Sequence, residues 1–513
     1  MLTRHHKAIG VLMSAAALLV LARSAGAADN AAAPGFVPWP KTVTMQAGTL
    51  SLAGARVVAG NEGLLPLAKI LSEEIAAATG QRLAAVTGAA KAGDICLELD
   101  RQLRGEQYIV NIKDKAVVRG GNYGAVALGT VTLLQAVRTE GSKRVLPALV
   151  VADGPGTEFR GLMIDVARRY HSMENLKQIV ELCRLYKIRY LQLHLTDDQG
   201  FMFPSKAYPL LATQNQNGGK TYTLEQLKDL LAYADARNVT IIPEYETPGH
   251  SAAANRAMPD LFKIKGTKPY EHHASINFAK DDVMKAVATI VGEMCEVFKS
   301  TPFFHIGGDE ADLAFADQNE YFQAAEKKND LPGHHELYRL FLGQMDEIVK
   351  KNGKQMIVWE GFGRGGKVKV PKDIIVMAYE IRFYMPNDLV KDGYRVVNAS
   401  WTPLYVVNKT VRPPEEIYAW NLFQFKPFGA KPADRGVIVA PPSDLVIGAQ
   451  MCAWEQPQEA EIPSLRGRLP AMSERIWNPT ADKDFAGFQK RFEAADGLFT
   501  KLIEAKSETP GKE

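Results

Sequence analysis

The run Phe303-Phe304-His305-Ile306-Gly307-Gly308-Asp309-Glu310 joins a short apolar segment to a pair of carboxylates. Thr301-Pro302 in front and Gly307-Gly308 behind bound it as a buried strand. Two acids directly after a strand stand where an α/β barrel carries its chemistry. The glycines lack Cβ atoms, so the backbone turns sharply and a ligand can approach it just before the acids. An Asp-Glu dipeptide arises by chance about once or twice in a chain this long. Its position at a strand end, not its composition, marks it.

On both sides of this strand the order strand, loop, helix repeats. Strands are predicted over 161–166, 190–195, 240–245, 303–306, 355–359, 374–378, 394–398 and 445–451, and helices over 174–186, 224–236, 282–298 and 335–351. Eight such strands over roughly 340 residues fit a (β/α)8 barrel with long loops. The connection between the last two strands is long and Pro-rich and is expected to form a lobe over the pocket. At the strand ends stand Asp165 and Arg168-Arg169, then His194, Asp197 and Asp198, then Glu244, Glu246 and His250, then Asp309 and Glu310. Trp359, Trp401, Tyr405 and Trp454 lie at or near the ends of later strands. Flat rings with adjacent carboxylates suit a sugar.

Before the barrel, residues 28–157 read as a smaller α+β domain with no catalytic cluster. Helical spacing covers 64–78 and 125–137, alternating strands cover 95–99 and 108–112, and an apolar strand runs over 146–151. Asp153-Gly154-Pro155-Gly156 punctuates the boundary, so the barrel is assigned to 158–500 and a polar, frayed tail to 501–513. Residues 1–27 read as a secretory signal peptide. Arg4-His5-His6-Lys7 precede an apolar run to Ala22, and Ala25-Gly26-Ala27 supplies small residues for cleavage. That run is shorter than the about 20 residues of a membrane span, so no anchor is expected after cleavage and the protein is expected in the periplasm or outside the cell.

The balance of the 513 residues, 46% apolar and 23% charged with net charge +3, is that of an ordinary globular protein, and no basic aromatic block suggests nucleic acid. Cys96, Cys183, Cys295 and Cys452 lie far apart in apolar surroundings and read as buried small hydrophobes. A second reading of the strand ends makes His194, His250 and His305, with Asp197 and Asp198, ligands of a metal that activates water. No two of these histidines have i, i+4 spacing, and the leading expectation is no metal. No nucleotide-binding glycine motif calls for a cofactor, since 361–366 is a polar loop.

Four ordered motifs closely resemble glycoside hydrolase family 20, the β-N-acetylhexosaminidases. They are Phe159-Arg160-Gly161-Leu162-Met163-Ile164-Asp165-Val166-Ala167-Arg168, His194-Leu195-Thr196-Asp197-Asp198-Gln199-Gly200, Pro248-Gly249-His250 and His305 through Glu310. The resemblance runs from about Pro38 to Asn478. It implies exo-acting, retaining hydrolysis of terminal β-linked N-acetylglucosamine or N-acetylgalactosamine, in which the substrate's own 2-acetamido oxygen attacks the anomeric carbon. By the same resemblance Glu310 is the general acid and then base, and Asp309 holds the acetamido N–H and stabilises the oxazolinium-like intermediate. Arg160 is implied to grip sugar hydroxyls, Asp197 and His250 to orient the acid, Trp359 and Trp454 to wall the pocket, and Tyr405 to donate to the acetamido oxygen.

The chain also departs from the family pattern. Phe201 stands where Trp is usual, Glu246 replaces the third-strand Asp, and Val407 replaces an Asp. Gln456, assigned here to substrate binding, stands where many members have Glu, with Glu455 beside it. A metal-dependent barrel hydrolase and a sugar-binding barrel without catalysis remain the alternative readings.

Overall fold

The computed structural model describes residues 34–265, 274–407, 412–429 and 436–507. The predicted export segment of residues 1–27 lies outside them. Eight parallel strands follow one another around a closed barrel: β1 Phe159–Asp165, β2 Tyr190–His194, β3 Thr240–Glu244, β4 Phe303–His305, β5 Gln355–Trp359, β6 Ile375–Ala378, β7 Arg395–Asn398 and β8 Val446–Trp454. Each pairs with its neighbour in sequence, and β8 closes the barrel by pairing with both β7 and β1. The strands are apolar almost throughout because side chains on both faces are buried, inward in the barrel and outward under helices. Polar residues interrupt that pattern where the barrel opens. The register sets Asp165, His194, Glu244 and His305 side by side across the ends of β1 to β4.

Two strand limits differ from expectation in ways that matter for the site. β1 begins at Phe159, because Phe159 and Arg160 find ladder partners in Gly448 and Ala449 of β8. Arg160 therefore lies inside the strand at its N-terminal end. β8 runs on to Trp454, because the short strand Tyr405–Val407 pairs with Cys452, Ala453 and Trp454. The long connection after β7 is thus part of the pocket wall rather than only a lobe above it.

The smaller domain is an eight-stranded mixed sheet that includes Ile95–Leu99, Tyr108–Ile112 and Lys143–Asp153, with helices Leu65–Thr79 and Tyr123–Gln135 packed against it. Those helices meet the barrel helix Met173–Leu185 and the final helix Phe485–Ser507. Across this junction Arg184 donates from Nε and Nη2 to Glu74 at 2.5 and 2.9 Å. The frayed tail expected from 501 is corrected here. Phe488, Ala495, Phe499 and Leu502 are buried at helical spacing, so the helix continues to Ser507, and residues 508–513 lie outside the described set. All four cysteines are buried and free of disulfides, as their apolar contexts predicted.

Candidate active site

Four loops at the C-terminal mouth of the barrel hold a non-glycine residue in the left-handed backbone region, where a Cβ is disfavoured. They are His250 after β3 (φ 46°), Glu310 after β4 (φ 44°), Ile381 after β6 (φ 60°) and Glu455 after β8 (φ 59°). Each costs about 1–3 kcal/mol and persists only where its surroundings over-determine it. For Ile381 the cause is visible: the buried Glu360 carboxylate accepts the backbone N–H groups of Ile381, Arg382 and Phe383 at 2.6–2.8 Å. At β4 the turn is made by Gly307 and Gly308. A Cβ on Gly307 would lie 1.8 Å from Glu246 Oε1, and the Gly308 N–H donates to that same oxygen at 3.1 Å. The glycine pair makes room for a carboxyl directly beneath Asp309.

These acids and bases form one buried network. His194 sits between two carboxylates, its Nδ1 2.6 Å from Glu244 and its Nε2 2.7 Å from Asp197. Burial works against its charge, but Glu244 and Asp197 outweigh that and raise it to about 10. His250 places Nδ1 3.4 Å from Asp197 and 3.7 Å from Asp198, and Nε2 3.2 Å from Glu310. Against its burial, Asp197, Asp198 and Glu310 hold it well above the usual imidazole range. Arg168 reaches Asp197 at 2.8 Å and Asp165 at 3.2 Å. Surrounded by Arg168, His250 and His194, Asp197 stays well below the usual carboxylate range although it is buried. A cationic histidine next to Glu310, steadied by an anion behind it, is a device for orienting an acid and passing a proton.

Asp309 and Glu246 behave differently. Burial raises Glu246 well above the ordinary value and the Asp309 charge adds to this. Burial also raises Asp309, with Glu310 and Glu244 adding and His250 opposing. Two buried carboxyls in contact do not both ionise near neutral pH. Glu246 is the more strongly raised of the two and its hydrogen bond lowers Asp309, so the shared proton belongs on Glu246. The other oxygen, Asp309 Oδ1, is buried and has no hydrogen-bond partner among the described residues.

The pocket that these groups floor has a volume of about 250 Å³. Tyr379, Trp401, Tyr405, Val407 and Trp454 wall it, with Arg168 and Glu455 on one side. Tyr405 stacks on Trp401 at 4.4 Å and lies parallel to Tyr379 at 6.4 Å. Glu310 also borders a second cavity of about 720 Å³, lined by His334, His335, Arg364 and the exposed Phe383.

Residues 158–480 match the model of the glycosyl hydrolase family 20 catalytic domain, and residues 33–154 match domain 2 of that family. The chain belongs to glycosyl hydrolase family 20. Among similar curated proteins, the beta-hexosaminidase of Porphyromonas gingivalis is 29% identical over 477 residues, 85% of this chain and 59% of that protein. The beta-hexosaminidase of Akkermansia muciniphila is 30% identical over 258 residues, 47% of this chain and 52% of that protein. The chain thus spans a little over half the length of these two relatives. Among solved structures, the GH20 exo beta-N-acetylglucosaminidase of Vibrio harveyi superposes with a TM-score of 0.78 at 22% identity, covering 92% of this chain and 78% of its own. The beta-N-acetylhexosaminidase of Bacteroides fragilis gives 0.78 at 20% identity, covering 91% and 95%. These structural likenesses establish the fold.

Within this family 20 barrel, Asp309, Glu310, Asp197, His250, Tyr405 and Trp454 come together at one pocket. Three assignments are corrected. Arg160 is not in the pocket. It lies at the opposite end of β1, fully buried, donating to Lys187 O, Thr157 O and the Glu106 carboxylate. The pocket arginine is Arg168, three residues past the end of that strand, a position the Arg168-Arg169 pair had already marked. Gln456 turns back, its Nε2 donating to Trp454 O at 2.9 Å, and Glu455 lines the pocket instead. Trp359 is 1% exposed and lies one layer below the pocket, its indole N–H on Glu244 at 2.7 Å and its ring against Tyr379 and Trp454. The wall expected of it is made by Tyr379 and Trp401. Tyr379, at the end of β6, was not singled out in the sequence because tyrosine in an apolar strand carries no catalytic signal. Of the departures, Glu246 and Val407 line the pocket, whereas Phe201 is buried against Tyr245 away from it.

Of the metal reading, His250, Asp197 and Asp198 bring ligand atoms within 4.8 Å of one another, while His194 groups with Glu244 and Glu246 instead. Among the described residues, no cluster able to hold an ion combines two of the three histidines.

Proposed function

We propose that the protein is an exo-acting, retaining β-N-acetylhexosaminidase that removes terminal β-linked N-acetylglucosamine or N-acetylgalactosamine by substrate-assisted catalysis. One observation carries this reading: Asp309, whose Oδ1 is buried and has no hydrogen-bond partner among the described residues, lines a pocket of about 250 Å³ together with Glu310. An acetamido N–H is a donor such an oxygen lacks. With Asp309 accepting that N–H and Tyr405 donating to the acetamido oxygen, the oxygen is steered toward the anomeric carbon. As the oxazolinium forms, Glu310 gives its proton to the departing glycosidic oxygen, and it then takes one from the water that reopens the ring. The proton held by Glu246 keeps Asp309 anionic where positive charge develops. The small pocket suits one sugar, and the larger cavity on the far side of Glu310 suits the departing portion. The Vibrio harveyi relative, solved with N-acetylglucosamine bound, supports the same substrate class.

The test is hydrolysis of 4-nitrophenyl β-N-acetylglucosaminide, with EDTA present, against the matching β-glucoside. Cleavage of the acetamido substrate alone is expected. Equal cleavage of the glucoside, or loss of activity to the chelator, would overturn the proposal. We infer further that the enzyme acts after export, which residues 4–27 support, and mature protein beginning near Ala28 in periplasm or medium is the expected finding.

A further inference from the structure

His171 and Glu461 are both fully buried, and the reaction proposed above uses neither. His171 stands three residues past Arg168 in the loop after β1, and Glu461 lies in the helix Gln458–Leu465, which follows the loop after β8. His171 Nε2 is 3.5 Å from Glu461 Oε2. Among the described residues, neither that nitrogen nor either Glu461 oxygen has a hydrogen-bond partner. The other ring nitrogen, Nδ1, lies 2.8 Å from Asn175 Oδ1 and donates to it. Burial raises Glu461 well above the usual carboxylate range, and the Asp165 charge adds to this. Burial lowers His171, opposed by Asn175, Asp165, the Gln456 main chain and Glu459. The carboxyl therefore keeps its proton and the imidazole stays neutral. Each supplies what the other lacks, a donor for Nε2 and an acceptor for the Glu461 O–H.

Two apolar side chains of the same size would fill this space without burying polar groups, and such a replacement is often neutral or stabilising. What the polar pair adds is a link between two loops. Around it the Ser172 N–H donates to Gln458 Oε1 at 2.6 Å, and Asp165 accepts the Arg168 N–H at 3.0 Å on one oxygen and the Glu455 N–H at 3.3 Å on the other. The contact between Ser172 and Gln458 is exposed, whereas His171 and Glu461 meet where water does not compete. From the first of these loops Arg168 reaches Asp197 at 2.8 Å; Asp197 lies 3.4 Å from His250, and His250 lies 3.2 Å from Glu310. We propose that His171 and Glu461 are positioning residues: their buried hydrogen bond ties the loop after β1 to the loop after β8 and thereby holds Arg168 against Asp197, behind the histidine and acid that move the proton. The inference rests on the hexosaminidase reading and adds to it a pair of side chains that stand outside the pocket.

The test measures kcat/KM for 4-nitrophenyl β-N-acetylglucosaminide, and the urea midpoint, in the unaltered protein, Glu461→Leu, Glu461→Gln, Arg168→Lys and the double variant Arg168→Lys/Glu461→Leu. Glu461→Leu removes the donor and is expected to lower kcat/KM about tenfold, since a small displacement begun far from the chemistry is costly at the reacting groups. Glu461→Gln still offers an N–H to His171 and is expected to stay within about threefold. On the Arg168→Lys background, Glu461→Leu is expected to cost less than about threefold further, because the group it acts through is already altered. A lowered midpoint with unchanged kcat/KM in Glu461→Leu, equal losses in Glu461→Leu and Glu461→Gln, or the full loss of about tenfold on the Arg168→Lys background overturns the proposal. If Glu461→Leu does not fold, the same comparisons are made with His171→Phe/Glu461→Leu, which leaves neither polar group buried alone, and the same outcomes decide. Absence of hydrolysis by the unaltered protein would instead count against the activity itself. Hydrogen exchange over residues 165–171 and 454–458 would then decide the link. Exchange of the Arg168 and Glu455 amides about tenfold faster in Glu461→Leu supports it, and unchanged exchange overturns it.

Discussion

Arg160 and Arg168 stand at opposite ends of β1, and the two ends of the barrel treat buried charge in opposite ways. At the N-terminal end the guanidinium of Arg160 is bonded on all three nitrogens by the protein. Nearby Lys187, fully buried, donates to Tyr108 and Thr132 at 2.7 and 2.9 Å and lies 4.6 Å from the centre of the Trp477 ring, with Asp153 3.7 Å away. At the C-terminal end, carboxyls are pressed together, His250 and Glu310 sit on strained backbone, and Asp309 Oδ1 has no hydrogen-bond partner among the described residues. Shifted titration occurs at both ends, since burial lowers Lys187 to about 8. A displaced pKa therefore does not separate a structural cluster from a chemical one. Nor does a strained turn, since Lys187 itself stands at φ 56°; an unsatisfied buried acceptor beside a pocket does, because a fold that gained nothing from it would pair it.

The contrast breaks most sharply at the acids. Asp309→Asn and Glu310→Gln are each expected to lower kcat by about 10³-fold or more, with little change in the urea midpoint. Unchanged kcat in either would remove that residue from the mechanism. The two arginines give the next largest separation. Arg168→Lys keeps the charge but loses the planar donor fork, and kcat/KM is expected to fall about 10- to 100-fold with the fold intact. Arg160→Met takes the closer partner from Glu106, leaving it Arg189 at 3.8 Å, strips Lys187 O and Thr157 O of their donor, and is expected to cost about 3 kcal/mol of stability, while the folded fraction keeps near-normal kcat. If the two variants exchange these phenotypes, the assignment of the two ends is reversed.

Glu246 sharpens the comparison within the active end. Glu246→Gln still offers a hydrogen to Asp309 and should keep kcat within about tenfold, whereas Glu246→Ala should lose about 10²-fold. Equal losses would mean that the proton on Glu246 is not what Asp309 needs. The smallest effect is expected at Lys187. In the native protein it gives up its proton near pH 8, whereas the unfolded chain holds it to about 10.5. Between those values the unfolded state binds more protons, so the Lys187 contribution makes the protein more stable as pH rises. The difference in urea midpoint between the unaltered protein and Lys187→Met should move in the former's favour from pH 7.5 to pH 9.5. A difference independent of pH would show that the buried amine is not perturbed.

Much of this architecture was legible in the chain. Apolar runs of four to eight residues alternating with amphipathic helical stretches were enough to place eight strands, because strand burial on both faces leaves an unmistakable hydrophobic signature. Acids directly after such runs marked the active end, and Asp309, Glu310, Asp197 and His250 meet there. Covalent order alone separated the proposed catalytic pair, Asp309 and Glu310, from an incidental dipeptide.

The side chains that face the pocket were settled only by the tertiary structure. Whether Arg160 or Arg168 serves the site depends on which end of β1 each occupies, and that follows from ladder partners supplied by β8, nearly three hundred residues later. Whether Glu455 or Gln456 enters the pocket depends on a left-handed φ that no local propensity favours for glutamate. Trp359 lies below the pocket it was expected to wall, and Tyr379 walls it instead, because packing against Glu244, Tyr379 and Trp454 fixes the depth of the indole ring. Sequence determines the periodicity of burial, which is local. Facing, depth and backbone strain are set by contacts between strands distant in the chain, and those exist only once the barrel has closed.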